Sequence, residues 1–165
     1  MQQKGANTLT QEEFIRQVEE SKGTLYRVSC AYLRQEQDRA DAVQEALLKA
    51  WQGLGHLKEE GYFRTWLIRI LIRECVNIQR KQKRMIPSDV LPDRPYESQG
   101  TNAELREAIL RLPEGMRLAV VLFYMEGYPV EEIAKIMRVP KGTVCSRLAR
   151  AREKIKETLK EDAIC

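Results

Sequence analysis

The chain has 165 residues, of which 43% are apolar and 32% charged. That suffices for one domain or two small ones with packed cores, and no apolar run approaches the length that a bilayer span needs. The formal net charge of +4 is too mild to argue by itself for a polyanionic partner.

Helical periodicity runs along most of the chain. Leu9-Thr10-Gln11-Glu12-Glu13-Phe14 opens a first helix, with Thr10 and Glu13 as a capping box and Leu9 and Phe14 as a hydrophobic staple. Leu25, Val28, Tyr32 and Leu33 form the apolar stripe of a second. The third carries Val43, Ala46, Leu47, Ala50, Trp51 and Leu54 at steps of three and four, and ends at Gly53 and Gly55. Trp51 is expected in the core. A fourth helix runs from about Tyr62 to Lys83, with Phe63, Trp66, Leu67, Ile70, Leu71 and Ile78 inward.

From Met85 to Gly100 the period is lost. Pro87, Pro92 and Pro95 fall here among Ser, Asp and Gly, and the stretch reads as a linker reaching about 50 Å if extended. Thr101 and Glu104 then make a second capping box, opening a helix that ends at Leu112-Pro113. The next helix turns Leu118, Val121, Leu122 and Met125 inward and stops at Gly127. Two helices with a tight turn at Arg138-Val139-Pro140 complete the pattern. The first buries Ile133, Ala134 and Met137. The second buries Val144 and Leu148 and turns Lys141, Ser146, Arg147, Arg150 and Arg152 outward. That is the layout of a helix-turn-helix whose second helix enters a DNA groove. The expected fold is therefore all-α: two small four-helix domains, residues 1–84 and 102–165, joined by a flexible linker over residues 85–101.

Charge is distributed unevenly. Arg64 to Arg84 holds seven basic residues against Glu74, and Arg138 to Lys154 holds six against Glu153. Two separated basic blocks suggest two contacts with a polyanion, although solvated helix faces also carry such runs. The cysteines Cys30, Cys75, Cys145 and Cys165 lie far apart without a C-x-x-C, and His56 is the one histidine. Zinc spacing is absent, no cofactor is expected, and Cys30 and Cys75 read as core thiols. The N-terminal residues lack the apolar run of a signal peptide, so a reducing cytoplasm is the expected compartment. No G-x-S-x-G, no glycine-rich phosphate loop after a strand and no metal spacing points to an enzyme or a small-molecule substrate. An ordinary duplex-binding regulator, dimerised through its N-terminal half, is the alternative class.

Three motifs in order resemble one family. Asp38-Arg39-Ala40-Asp41-Ala42-Val43-Gln44-Glu45-Ala46-Leu47-Leu48-Lys49-Ala50-Trp51 is similar to the D-A-x-D-x-x-Q-E-x-x-x-x-x-W signature of sigma factor region 2. Phe63-Arg64-Thr65-Trp66-Leu67-Ile68-Arg69-Ile70 resembles the F-x-x-W-L-x-R-I that comes after it in the family. Leu112-Pro113 with Arg117, Glu131-Glu132-Ile133-Ala134, and the run from Gly142 to Arg152 resemble region 4. The family is the extracytoplasmic-function (ECF) group of bacterial sigma factors, and the likeness covers nearly all of the chain after about Glu20.

The resemblance implies a promoter-specificity subunit without catalysis of its own. Asp38, Asp41, Gln44, Glu45 and Lys49 would dock on core RNA polymerase, on the coiled coil of its β′ subunit, with further contacts to β. Arg69, Arg73, Asn77, Arg80, Lys81 and Arg84 would hold the −10 promoter element as single strand. Lys141, Thr143, Ser146, Arg147 and Arg150 would hold the −35 element as duplex. An anti-sigma factor, often membrane-bound, would cover the polymerase-binding surfaces. Three positions depart from the family pattern: Arg73 stands where an amide is usual, Arg138 where glycine is frequent, and Cys145 where a basic residue is common. If the turn needs a positive φ at Arg138, that arginine costs about 1 kcal/mol.

Overall fold

The computed structural model describes residues 9–85 and 103–164, and every regular element among them is helical. The chain divides into two compact units, Met1–Val90 and Leu91–Cys165. Of the linker expected over residues 85–101, Met85 instead ends α3, and the rest, with Thr101 of the second capping box, lies outside the described residues.

The first unit holds three long helices: α1 (Gln11–Tyr32), α2 (Glu36–Gln52) and α3 (Phe63–Met85). Short 3₁₀ turns at Leu54–His56 and Glu60–Tyr62 join α2 to α3. The capping box forms: the Glu13 N–H donates to Thr10 Oγ1 at 3.3 Å, and Glu13 Oε2 accepts from the Thr10 N–H at 2.8 Å. Leu9 and Phe14 are both buried beneath it.

The first two expected helices are one. The helix α1 runs unbroken for 22 residues through Ser21 and Gly23. Ser21 Oγ donates back to the Gln17 carbonyl at 2.7 Å, so its polar group is satisfied within the helix. An interior glycine costs about 1 kcal/mol, a small penalty beside the burial of Thr24, Leu25 and Val28 in the following turn. This unit therefore has three α-helices where the apolar stripes suggested four.

The line that packs α2 is also displaced from the expected one. Its fully buried residues are Ala42, Ala46 and Ala50, a stripe at steps of four. Val43 and Leu47 flank it half-buried. Trp51, expected in the core, is 45% exposed and packs edge-on against Phe14, with ring centroids 5.1 Å apart. Small residues let the α2 backbone approach α3 closely, so the large residues beside them are displaced to the rim. On α3 the matching core line is Phe63, Leu67, Ile68, Leu71 and Cys75. Trp66, Ile70 and Ile78 sit at its edges, half-buried rather than inward. Cys75 is a core thiol as expected, whereas Cys30 is only half-buried.

Arg39 closes the turn between α1 and α2. It is 6% exposed and donates to the Leu33 carbonyl at 3.2 Å and the Arg34 carbonyl at 2.6 Å, with its guanidinium 5.8 Å from the Tyr26 ring centroid.

The second unit comprises α4 (Ala103–Leu110), α5 (Glu114–Val120), α6 (Val130–Met137) and α7 (Lys141–Ile164). The helix α5 runs on into a π-helical turn at Val121–Met125. That turn carries one more residue than an α turn, which rotates the side chains beyond Leu122 away from the core. Met125, expected inward, is consequently 50% exposed. Leu118, Ala119, Val120, Val121 and Leu122 fill the core from α5 and its π turn, Ile133 and Ile136 from α6, and Val144, Leu148 and Ala151 from α7. Ile136 is buried and Met137 half-buried, one position away from the expected pattern.

Two backbone positions shape this unit. Gly127 takes φ 70° after the π turn, and Arg138 takes φ 56°, ψ 46° at the end of α6. Among the described residues Arg138 is the one non-glycine with positive φ. Arg138→Gly is therefore expected to stabilise the second unit by about 1 kcal/mol, and Gly127→Ala to destabilise it by a similar amount. Thermal loss of helical circular dichroism reads both. Tryptophan fluorescence should not change, because Trp51 and Trp66 both lie in the first unit.

Candidate functional surfaces

The exposed face of α2 and the basic face of α3 meet in one open cleft of about 720 Å³. Asp38, Asp41, Glu45 and Lys49 line it from α2, and Glu74, Asn77, Ile78, Arg80, Lys81 and Arg84 from α3. Most of the residues that the sequence assigns to polymerase and to the −10 element thus share a single surface feature. Gln44 is exposed on α2 but does not line the cleft, and Arg69 and Arg73 lie outside it. Arg69 is half-buried, unlike the exposed Arg73, Arg80 and Arg84.

Glu74, the lone acid in the first basic block, organises the cleft. It is 8% exposed and accepts from Lys49 Nζ at 2.7 Å. Glu45 stands 3.6 Å from the same ammonium. Lys49 is held above the usual lysine range, chiefly by its hydrogen bond to Glu74. The stability contributed by this shift is present below the ordinary lysine pKa and is lost as pH rises through the raised value. Asp38 accepts from Gln82 Nε2 at 2.6 Å, and Asp41 from Gln37 Nε2 at 3.1 Å. Among the described residues Arg73, Arg80, Lys81 and Arg84 make no hydrogen bond or ion pair, so α3 presents uncommitted cations beside the α2 carboxylates.

In the second unit α6 and α7 form the helix-turn-helix. Pro129 and Pro140 precede the two helices, and the Thr143 N–H donates to the Pro140 carbonyl at 2.9 Å in the first turn of α7. The side chains expected to meet DNA are not equally available. Lys141 is ion-paired with Glu131 of α6. That bond lowers the Glu131 pKa and raises that of Lys141. The Glu131 contribution is present above the ordinary carboxylate pKa and is lost as pH falls through the lowered value. Arg147 is half-buried and lies across the start of α5, where a Cβ on Gly115 would fall 3.0 Å from its Cζ. Ser146 is exposed and donates to the Thr143 carbonyl at 3.1 Å, with Thr143 half-buried. Arg150 is exposed with no partner among the described residues. Arg152 donates to Tyr124 Oη at 3.2 Å.

Sequence reasoning missed Arg39, Glu74 and the holds on Lys141 and Arg147. Glu74 carried a signal, since an isolated acid in a basic helix needs a partner to be tolerated inside. Arg39 is held by turn carbonyls five and six residues back, and the holds on Lys141 and Arg147 depend on contacts between separate helices. Among the described residues no three His, Cys, Asp or Glu side chains are grouped to hold a metal ion, and no helix is long and apolar enough to cross a membrane.

Two helical units thus present two surfaces, a polar cleft in the first and the basic face of a helix-turn-helix in the second. Residues 17–85 match the family model Sigma-70 region 2, and residues 102–155 match Sigma-70, region 4. The chain is 38% identical to the ECF RNA polymerase sigma-E factor of Escherichia coli K12, over 72% of each chain. It is 34% identical to the ECF RNA polymerase sigma factor SigM of Mycobacterium tuberculosis, over 82% of this chain and 71% of the relative. It therefore belongs to the ECF group of RNA polymerase sigma factors and directs promoter-specific transcription initiation. Among solved structures it resembles the sigma factor RpoE in complex with the anti-sigma factor NepR from Bartonella quintana. That likeness has a TM-score of 0.75 and 25% identity over 90% of this chain and 98% of that one. CnrH in complex with the cytosolic domain of CnrY shares the fold at a TM-score of 0.72, with 24% identity over 93% and 91%.

The Lys49–Glu74 contact yields an ordering of stabilities. Glu74→Ala is expected to lower the stability of the first unit by about 1–2 kcal/mol, and Glu45→Ala by less than about 0.5 kcal/mol. Urea unfolding followed by tryptophan fluorescence tests the order. The Glu74→Ala deficit should narrow at strongly alkaline pH, where Lys49 loses its charge.

Proposed function

We propose that the first unit docks this sigma factor on core RNA polymerase through Asp41, Gln44 and Glu45 and holds the −10 strand along α3 with Asn77, Arg80, Lys81 and Arg84. Asp38 and Lys49 act from within the cleft, fixing the position of α2 through Gln82 and Glu74. The second unit takes the −35 element on α7, with Arg150 and Ser146 as the available contacts and Lys141 and Arg147 recruited as their internal partners let go. Arg69 and Arg73 reach the −10 strand from outside the cleft. The observation that carries this reading is the row Arg80, Lys81 and Arg84 on α3, which have no hydrogen bond or ion pair among the described residues, beside a carboxylate face on α2. Such a row suits phosphates, and such a face suits a basic partner helix.

On this reading residues 1–84 and 102–165 are the two working domains and residues 85–101 the tether. The protein has no catalysis and no small-molecule substrate of its own. It acts in the cytoplasm with the β′ and β subunits of the polymerase. An anti-sigma factor, held at the membrane where that partner is a membrane protein, covers the docking surface; the related sigma factor RpoE, solved in complex with the anti-sigma factor NepR, supports such a partner.

Co-elution with purified core RNA polymerase tests the first assignment. The wild type is expected to bind, and Gln44→Ala/Glu45→Lys to lose at least about tenfold in affinity, a like-charge contact now opposing docking. Unchanged binding by the variant would remove the α2 face from the interface. For the second unit, Arg150→Ala should weaken holoenzyme binding to −35 duplex by about 1–3 kcal/mol, measured by filter binding at fixed salt.

A further inference from the structure

We propose that Gly115 is a positioning residue for DNA binding: its missing side chain gives the Arg147 guanidinium a seat on α5 that competes with duplex DNA for it. This rests on the −35 assignment proposed for α7 and adds to it a residue outside the helix-turn-helix that sets how strongly the recognition helix binds.

Arg147 and Arg150 are three residues apart on α7, a spacing that puts both on one side of the helix. Their spacing makes them equals, yet Arg150 is exposed and Arg147 half-buried. The cause lies on α5. A Cβ on Gly115 would fall 3.0 Å from Arg147 Cζ, 3.1 Å from Nη1 and 3.4 Å from Nε. Cζ is the nearest of the three, so the guanidinium lies over Gly115 by its face. An edge-on group would bring a nitrogen closest. A planar, weakly hydrated cation can stack in this way on a flat surface, which a compact ammonium cannot do. The contact also needs glycine, because any side chain at 115 would occupy the space that the guanidinium fills.

The seat is shallow. Among the described residues Arg147 makes no hydrogen bond or ion pair, so dispersion against the backbone is what holds it. Gly115 also lies in the first turn of α5, the positive end of the helix, where a cation gains nothing from the macrodipole. A phosphate or a guanine offers the same group charge-assisted or bidentate bonds. DNA can therefore draw Arg147 out, and the net gain is reduced by whatever the seat contributes. One methyl group at 115 removes that competition and leaves Arg147 beside Ser146 and Arg150 on the open face. The backbone at Gly115 is helical, so alanine fits it without strain and the obstacle it meets is the far end of a flexible side chain.

The test uses the full chain and a short fluorescein-labelled DNA duplex of mixed sequence, read by anisotropy across a salt series. Four proteins are compared: wild type, Gly115→Ala, Arg147→Ala and the double variant. Gly115→Ala is expected to tighten binding about threefold at about 100 mM salt, with a salt slope steeper by at most about 0.9, the value for one added phosphate contact. The double variant should bind like Arg147→Ala, so that Arg147→Ala costs about threefold more in the alanine background than in the wild type. Gly115→Ala should melt no lower than the wild type, since alanine favours the helix. Equal affinity of wild type and Gly115→Ala would overturn the inference, and so would a gain that survives without Arg147. A lower melting temperature with no gain in affinity would also overturn it and make the contact a brace between α5 and α7. Arg150→Ala in the same assay separates the two levels. If it weakens duplex binding while Gly115→Ala changes nothing, only the seat falls; if neither Arg150→Ala nor Arg147→Ala alters binding, the −35 reading of α7 falls as well.

Discussion

The stripe of alanines on α2 is the constraint on which the first unit depends. Ala42, Ala46 and Ala50 bury no bulk of their own, so α2 lies close on α3, its principal neighbour. That closeness has two consequences. It sets Asp38, Asp41, Glu45 and Lys49 against the flank of α3, where Lys49 meets Glu74 and Asp38 meets Gln82. It also leaves Leu48 and Trp51 exposed, with the indole held at the surface by the edge of Phe14. A larger residue at Ala46 would separate the helices and open the cleft, because packed interiors leave little room for an added side chain.

The second unit is governed by its backbone. A π turn after α5, a positive φ at Gly127 and another at Arg138 aim α6 and α7 as two arms of one motif. The left-handed residue at Arg138 is strained, and it sits between the two helices that would meet DNA. Strain of this kind persists where the surrounding structure over-determines a turn. Internal partners hold the recognition helix too: Glu131 on Lys141, and the start of α5 beneath Arg147. On the proposed −35 reading, binding would exchange these contacts for phosphate or base contacts. That exchange lowers the net gain from each residue and makes binding more selective for a partner that offers better ones.

The two units use charge differently. In the second, one acid restrains one cation at the edge of the motif. In the first, a whole face of carboxylates stands opposite a whole face of cations. A local pair fixes a geometry, whereas opposed faces set a potential, and a potential responds to whatever covers either side.

Much of this is legible in the residues themselves. The capping box at Thr10 and Glu13, the stop at Gly53, the helix-turn-helix from Pro129 onward and the positive φ suspected at Arg138 are local features, determined by neighbours within a turn or two. The family motifs add the assignment of surfaces. Apolar spacing also locates each helix, but it does not say how many turns a stripe bridges, so two stripes suggest two helices where α1 is continuous. Nor does it say which flank of a wide apolar face becomes the core. Trp51 and Met125 are expected inward because they are large and apolar. Alanine packing and a π turn, which depend on the partner helix and on one extra residue, place them outside. The sequence by itself determined where most helices start and stop and which residues carry charge. Only the tertiary structure decided that Glu74 is the hidden partner of Lys49 and that the acids of α2 share one cleft with the bases of α3. Such pairings are set by the distance between helices in space, and the pattern along any one helix does not contain it.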